Sequence, residues 1–189
     1  MRIITGSARG AKLITLEGEA TRPTAERTKE AIFSMIQFDI EGRKVLDLFA
    51  GSGQLALEAL SRGAEEAVLC DSSKEAADII KKNAVKTRLS DKVKLHVCDS
   101  LKLIPKLGAE KYDLVFLDPP YALKLIPNVL CSLLDCKRLK HTSIIVCESS
   151  KAEDVFCGNT ELEDCFVIKK NAKYGAAFVT IMQPKEEIL

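Results

Sequence analysis

The sequence predicts an α/β protein with a doubly wound, mostly parallel sheet of seven strands, and three observations support this prediction. From Lys44 onward, short apolar segments alternate with segments of helical spacing. The apolar segments have few polar interruptions, as expected for strands that helices cover on both faces. Two longer apolar segments, 164–172 and 176–182, are joined tightly around Tyr174-Gly175, which predicts an antiparallel hairpin at the end of the sheet.

A small hairpin is predicted to precede this sheet, from short strands at 2–5 and 11–16. Arg22-Pro23-Thr24 then marks a turn, and Thr24 is a candidate N-cap for a helix from about residue 25 to 38. The sequence therefore predicts an extension at 1–20, followed by a main domain at 21–189.

The main domain is predicted to alternate strands with helices. The five strands are expected at 44–49, 66–70, 93–97, 112–117 and 143–148, and the four helices at 54–62, 74–86, 100–107 and 126–134. Right-handed crossovers between such units build a parallel sheet, in which ligands bind beyond the carboxyl ends of the strands.

Composition and charge indicate an ordinary soluble protein. Hydrophobic residues make up 47% and charged residues 29% of the 189. No apolar segment approaches the ~20 residues that span a bilayer. The seven cysteines form no Cys-x-x-Cys, so we interpret them as small buried residues in a reducing, cytoplasmic compartment and expect no metal.

Positive charge is concentrated near the N-terminus. Residues 1–29 have a net charge of +3, whereas the whole chain has +1. On charge alone a solvated face is the preferred interpretation, with a phosphate-bearing partner as the alternative. Arg22, Arg27 and Lys29 lie near a helix start, where the macrodipole disfavours cations, so we expect an anionic ligand or a structural acidic partner nearby.

The segment Val45 to Gly53 predicts a buried strand, a glycine turn and a helix N-terminus. Gly51 and Gly53 permit positive φ and close approach of a ligand to the backbone, whose N–H groups are unpaired at a helix start. Read as Gly51-x-Gly53-x-x-Ala56, the turn also fits the dinucleotide pattern, so it indicates only a nucleotide-like cofactor.

Acidic residues end or follow successive predicted strands. Asp71 lies 20 residues after Gly51, where a carboxylate can accept hydrogen bonds from ribose hydroxyls, and Asp99 is placed to accept from the exocyclic amine of an adenine. A single such aspartate is more often a helix N-cap. Together with Asp47, Asp118 and the glycine turn, these acids favour a binding site on one edge of the sheet.

Asp118-Pro119-Pro120-Tyr121 is the most specific motif. The two prolines fix φ and remove two backbone donors, so the loop is rigid and presents a carboxylate and a carbonyl as acceptors. Two acceptors on a stiff frame suit a planar amine, and the ring of Tyr121 offers a face on which a base can stack. A simple strand-ending Pro-Pro loop explains the rigidity but not the Asp and Tyr at its two ends.

These motifs together resemble S-adenosylmethionine-dependent methyltransferases that act on exocyclic amines. The chain is similar over nearly its whole length to the family that methylates N2 of a guanine in 16S ribosomal RNA, with one departure at Ala8, where some members have an aromatic residue. The segments that are similar are 6–13, 21–24 with Arg27 and 30–31, 48–53, 58–63, Glu148 and Tyr174-Gly175.

The resemblance implies a Rossmann-like methyltransferase sheet, S-adenosylmethionine as cofactor, and 16S ribosomal RNA, within a small-subunit particle, as partner. The implied cofactor-binding residues are Asp47, Phe49, Ala50, Gly51, Gly53, Asp71, Asp99 and Ser100. The implied catalytic residues, which hold the flipped guanine, are Asp118, Pro119, Pro120 and Tyr121. The residues expected to contact RNA are Arg9, Lys12, Arg22 and Arg27.

Three alternatives stay open at the level of sequence. A dinucleotide oxidoreductase would use the glycine turn and Asp71 but leaves the Asp118–Tyr121 loop without a role. A catalytically idle RNA-binding or assembly protein would keep the fold. A DNA adenine-N6 methyltransferase shares the chemistry but should have a separate target-recognition domain, for which 189 residues leave little room.

Overall fold

A computed structural model describes residues 1–16 and 23–188. The helices in this part of the chain are α1 Pro23–Met35, α2 Gln54–Ser61, α3 Lys74–Thr87, α4 Ser100–Leu103, α5 Ile126–Asp135 and α6 Thr160–Asp164. The strands are β1 Lys44–Asp47, β2 Glu66–Asp71, β3 Val93–Val97, β4 Tyr112–Leu117, β5 Leu139–Ser149, β6 Phe166–Tyr174 and β7 Ala177–Pro184.

The seven strands form one sheet in the order β3-β2-β1-β4-β5-β7-β6. The pairs among β1 to β5 are parallel, and β7 pairs antiparallel with both β5 and β6. The predicted fold class is therefore confirmed, including the antiparallel hairpin at the end of the chain.

The hydrophobic core lies on both faces of this sheet. Alternate strand residues belong to different clusters: Leu114 and Phe116 pack on one face, and Val115 and Leu117 on the other. All four side chains are fully buried, as a strand in the middle of a doubly covered sheet requires.

Several element boundaries differ from the sequence-based expectation; α1, for example, ends at Met35 instead of residue 38, and the other large differences concern β5, α4 and α6. β5 begins at Leu139, four residues early, because the exposed polar residues after Leu139 hide its strand character in the sequence. The helix expected at 100–107 is α-helical only to Leu103 and continues as a 3₁₀-helix from Ile104 to Lys106, since Pro105 cannot donate to the α-helical ladder. The short helix α6 was not predicted.

The N-terminal segment forms a hairpin-like turn that is docked on the main domain. Its two arms make one antiparallel bridge between Arg2 and Lys12 rather than the two strands predicted. Ile3 and Leu13 are buried in the same cluster as Phe116. This burial ties residues 1–16 to the core, so the hairpin packs as part of the main domain's surface.

Buried polar groups hold the hairpin against α2. Glu58, fully buried, accepts hydrogen bonds from the backbone N–H of Ile4 at 2.7 Å and of Thr5 at 3.0 Å. Its Oε2 also lies 3.2 Å from Lys29 Nζ, which donates to the Arg2 carbonyl at 2.6 Å. The acidic partner expected near Lys29 is therefore structural.

Candidate active site

The candidate site lies where the strand order of the sheet reverses. β1 and β4 are neighbours there, and both are parallel, so the loops that follow them open at the same edge. A cavity of about 540 Å³ occupies this edge, large enough for a nucleoside-sized ligand. The cavity is lined by Leu16, Leu48, Phe49, Gly51, Asp71, Ser72, Cys98, Asp99, Ser100, Asp118, Pro119, Pro120, Tyr121, Leu123, Leu125 and Glu148.

The glycine turn after β1 has the backbone conformation that its sequence predicts. Gly51 and Gly53 have φ of 52° and 79°, in the left-handed region that favours glycine. Gly51 faces the cavity, whereas Gly53 is buried and a Cβ there would lie 3.3 Å from Ile80. Gly51 thus gives a ligand access to the backbone, and Gly53 permits close packing beneath it.

Asp71 is both a structural and a candidate binding residue. Its Oδ2 accepts a hydrogen bond from the Gly51 N–H and its Oδ1 accepts one from the Ser73 N–H, each at 2.9 Å. Each oxygen keeps a second lone pair, so these bonds leave the carboxylate able to accept from a ligand. Because it accepts from the Gly51 N–H, Asp71 also fixes the turn that faces the cavity.

Asp99 has the capping role that the sequence left open, and its position is compatible with the binding role as well. It is the N-cap of α4, and its Oδ1 accepts from the Lys102 N–H at 3.2 Å. The side chain is exposed and lines the cavity beside Cys98 and Ser100. The capping interpretation is correct, and it places the carboxylate on the cavity wall.

Asp47 lies behind the turn rather than on the cavity wall. It is 1% exposed, and its Oδ1 has no hydrogen-bond partner among the described residues. Burial raises its pKa from 3.8 to about 7, although the backbone N–H groups of Phe49 and Ala56 partly offset this. A carboxyl group that titrates near neutrality is thus buried under the glycine turn.

Asn83, which the sequence analysis did not single out, joins the glycine turn to the N-terminal hairpin. It is fully buried on α3, and its Nδ2 donates to the carbonyls of Ser52 at 2.9 Å and Ile14 at 2.8 Å. Its Oδ1 accepts from the Ile14 N–H at 2.8 Å. One side chain therefore fixes the turn and the end of the hairpin, two residues before Leu16 reaches the cavity.

The Asp118–Tyr121 loop follows β4 directly and lines the cavity along its whole length. Pro119 is buried and Pro120 exposed, and the chain then forms a 3₁₀-helix from Tyr121 to Leu123. The loop places a half-buried carboxylate and a half-buried aromatic ring on the cavity wall.

The structure adds one acidic residue to this wall. Glu148 lies on β5 and lines the cavity, and its Oε1 accepts a hydrogen bond from the Tyr121 hydroxyl at 2.7 Å. Burial raises the pKa of Glu148, and burial followed by the nearby Glu148 charge raises that of Tyr121. Sequence reasoning noted Glu148 only through the family resemblance. An acid at the end of an apolar strand, the signal used for Asp71 and Asp118, identifies it as well.

The predicted site residues divide into two groups. All four residues of the Asp118–Tyr121 loop line the cavity. Of the predicted cofactor residues, Phe49, Gly51, Asp71, Asp99 and Ser100 line it too, whereas Asp47, Ala50 and Gly53 lie behind that surface. Those three shape the turn.

Three of the four residues predicted to contact RNA are described by the structure, and these three are not part of the cavity lining. Arg9 and Lys12 are exposed on the hairpin, and Arg27 is exposed on α1. Arg22 lies outside the described residues. The exposed side chains are available to a partner in solution.

The described part of the chain has neither a metal-binding cluster nor a membrane-spanning helix. Among the described residues, no group of three or more His, Cys, Asp or Glu side chains is placed to hold a metal ion. No helix in the described ranges is long and apolar enough to cross a membrane. All seven cysteines are free thiols, but only Cys70 and Cys147 are fully buried, so the expectation that they are all buried is wrong.

Known proteins with similar sequences identify the family. A family model described as "Conserved hypothetical protein 95" matches residues 1–183. The chain belongs to this family. Ribosomal RNA small subunit methyltransferase D of Haemophilus influenzae is 35% identical over 153 residues, which cover 80% of this chain and 79% of its own. The Bacillus subtilis protein YlbH is 31% identical over 187 residues, covering 98% of this chain and all of its own.

A solved structure extends the similarity to three dimensions. The Escherichia coli protein yhhF has a TM-score of 0.83 at 26% identity and covers 98% of both chains. The resemblance predicted from the sequence is therefore confirmed for the family and for the Rossmann-like methyltransferase fold.

Proposed function

We propose that this protein transfers a methyl group from S-adenosylmethionine to the exocyclic N2 amine of a guanine in 16S ribosomal RNA. The observation that carries this proposal is the position of the Asp118–Tyr121 loop, which shares one cavity wall with the glycine turn and two strand-end acids. The name of the Haemophilus relative supports ribosomal RNA as the substrate class.

The cofactor half of the cavity suits a nucleoside. Asp71 and Asp99 offer carboxylate acceptors for ribose hydroxyls and for an exocyclic amine, and Gly51 offers close approach to the backbone. When bound, S-adenosylmethionine supplies an electrophilic methyl group on a sulfonium. The acids and the turn hold and orient it, so their contribution is binding and alignment.

The acceptor half suits a planar amine. A guanine N2 lone pair is delocalised into the ring, so the amine is a poor nucleophile in its planar form. Hydrogen bonds to Asp118 and to the Pro119 carbonyl favour a pyramidal amine and aim its lone pair at the methyl group. The ring of Tyr121 supplies a stacking face for a base that has left its stack.

The basic hairpin suits RNA phosphates. Arg9, Lys12 and Arg27 are exposed and uninvolved in the cavity, and Arg22 completes the set that we propose to contact RNA. Phosphate contacts of this kind release counterions, so RNA binding is expected to weaken as salt rises. An Arg9→Ala/Lys12→Ala variant should show a shallower salt slope, and an unchanged slope would mean that these side chains are merely solvated.

Tritiated-methyl transfer to small-subunit particles that lack the modification, followed by nucleoside analysis, tests the proposal. N2-methylguanosine in the small-subunit RNA is the expected product. Label in N6-methyladenosine, or binding of NAD in place of S-adenosylmethionine, would overturn it. No incorporation by a folded protein that binds RNA would favour an idle assembly protein.

A further inference from the structure

We propose that Glu148 selects guanine at the acceptor site by accepting a hydrogen bond from N1–H of the target base. This assignment rests on the proposed function and deepens it, because it names the residue that distinguishes guanine from the other purine. Three features support it: the position of Glu148 in the sheet, the hydrogen bonds made by its two carboxylate oxygens, and the donors along the edge of guanine.

The strand register places Glu148 beside the loop that would hold the amine. Leu117 at the end of β4 pairs with Cys147 of β5, so the residues that follow, Asp118 and Glu148, come next on two neighbouring parallel strands. Neighbouring strands lie about 4.8 Å apart. Glu148 and Asp118 line the same cavity, so two carboxylates face one ligand position side by side.

The two oxygens of Glu148 have different environments. Oε1 accepts from the Tyr121 hydroxyl at 2.7 Å, which fixes the orientation of the carboxylate. Oε2 has no hydrogen-bond partner among the described residues, and Glu148 is only partly buried. Glu148 borders a small space of about 10 Å³ as well as the main cavity of about 540 Å³. Of these, the main cavity is the one with room for a base beside the carboxylate.

The chemistry of the purine edge decides which base this oxygen fits. In guanine the ring N1–H is a donor next to the N2 amine. When Asp118 and the Pro119 carbonyl accept the two amine hydrogens, N1–H is the next donor along that edge. In adenine N1 is an acceptor, so its lone pair would face the Glu148 carboxylate with no hydrogen between them. A site built to accept a hydrogen bond rejects the analogue that lacks it, because a buried polar group is left unpaired.

A 2-aminopurine substitution, compared between protein variants, tests this contact. The analogue keeps the 2-amine that receives the methyl group but lacks both N1–H and the O6 carbonyl, and its N1 is an acceptor. A difference between variants at residue 148 then reports the N1 contact rather than the loss of O6. Small-subunit particles would be reconstituted from ligated RNA with guanine or 2-aminopurine at the methylated position. The measured quantity is the ratio of kcat/KM for the two particles, compared between protein variants so that any difference in intrinsic reactivity cancels.

The expected result is a change in this ratio in Glu148→Gln. The glutamine amide is nearly isosteric and can donate to N1 of 2-aminopurine, so the preference for guanine should fall by about tenfold or more. Tyr121→Phe keeps the carboxylate but removes the bond that orients it, so a preference for guanine should remain, although weakened. Glu161→Gln is the matched control, because Glu161 is exposed on α6 and does not line the cavity. This variant should leave the ratio unchanged.

Each other outcome has a defined meaning. An equal loss on both substrates in Glu148→Gln would show that Glu148 only supports Tyr121 and would overturn the assignment. If that variant is too slow to assay, the ratio of the dissociation constants of the two particles is compared between variants instead, and an unchanged ratio would overturn the assignment in the same way. Wild-type protein that leaves guanine N2 unmethylated would instead overturn the proposed function itself, so the two failures are distinguishable.

Discussion

The hydroxyl of Tyr121 donates a hydrogen bond to Glu148 Oε1 over 2.7 Å, and this bond ties the rigid proline loop after β4 to the end of β5. The two strands are neighbours, so the bond joins the proposed amine-holding loop to the wall beside it. It gives the tyrosine hydroxyl a positioning role that stacking alone does not require.

A double-mutant cycle on this pair tests that role. Tyr121→Phe keeps the ring, so we expect activity to persist but to fall, with a cost of ~1 kcal/mol for the lost hydrogen bond. Tyr121→Ala should lose a further ~1–3 kcal/mol of base stacking. Tyr121→Phe and Glu148→Ala should couple by ~0.5–3 kcal/mol in kcat/KM, because each removes one partner of the same hydrogen bond. Additive effects would show that the bond does not matter for methyl transfer.

Asp71→Asn should weaken S-adenosylmethionine binding by ~1.5–3 kcal/mol, the range for hydrogen bonds to a charged group. It should also lower the melting temperature, because the Gly51 and Ser73 N–H groups lose charged acceptors. Calorimetric titration and thermal unfolding measure the two effects. Asp78→Asn, exposed on the neighbouring helix α3, should change neither. An unchanged affinity in Asp71→Asn would remove this residue from the cofactor site.

Asp47 makes stability depend on pH in a defined direction. Burial raises its pKa to about 7, so between pH ~4 and ~7 the folded state binds a proton that the unfolded state releases. The contribution of Asp47 to the free energy of unfolding should therefore fall as pH rises through this window, by at most ~4 kcal/mol at ~1.36 kcal/mol per pKa unit.

Urea unfolding of wild type and Asp47→Asn from pH 4 to 8 tests this, with ligand-free protein. The asparagine cannot titrate, so the variant should gain stability relative to wild type as pH rises. The exposed Asp91→Asn is the control and should follow wild type at every pH. If the stability difference between wild type and Asp47→Asn stays constant from pH 4 to 8, Asp47 is ionised throughout that range and its pKa is not raised.

Two glycines of the N-terminal hairpin, Gly6 and Gly10, form a matched pair of positions for testing how much the docking of the hairpin on α2 stabilises the fold. Gly6 and Gly10 have φ of 87° and 84°, so alanine at either position carries the same backbone strain. A Cβ at Gly6 would lie 1.7 Å from the Ser61 carbonyl oxygen, whereas at Gly10 nothing lies within 4 Å. Gly10→Ala should cost only the strain, ~1–2 kcal/mol.

Gly6→Ala should cost clearly more, because the hairpin must also move away from α2 and expose Ile3 and Leu13. Denaturant unfolding of both variants measures the difference, which isolates the docking contact from the strain. Equal losses would show that residues 1–16 pack on the core without contributing to its stability.

Sequence reasoning predicted most of the fold because periodicity is a local property. The alternation after Lys44 and the two closing strands identified all seven strands, although β5 begins earlier and α6 is too short to show a period. The residues that line the cavity could be predicted for a related reason, because in a parallel sheet the residues at the carboxyl ends of the strands meet at one edge. The Asp118–Tyr121 loop, Asp71 and Asp99 all line the cavity.

Contacts between elements that are distant in sequence could not be predicted in this way. The bonds from Tyr121 to Glu148, from Asn83 to Ile14 and from Lys29 to Glu58 depend on strand register and helix packing. Asp47 and Gly53 fit the predicted motif but lie behind the cavity, because a turn that presents one residue to a ligand must bury others beneath it.

Methyl transfer by Asp118→Ala, measured beside S-adenosylmethionine affinity, tests the amine-holding role of the proline loop most directly. Removing one of two acceptors that orient the amine should lower methyl transfer to guanine by ~10²–10³, comparable to the loss of a preorganised transition-state contact. Cofactor affinity should barely change, because the proposed partner of this carboxylate is the base. Full activity in Asp118→Ala would contradict the amine-orienting mechanism, and a parallel loss of cofactor affinity would place Asp118 in the cofactor site instead.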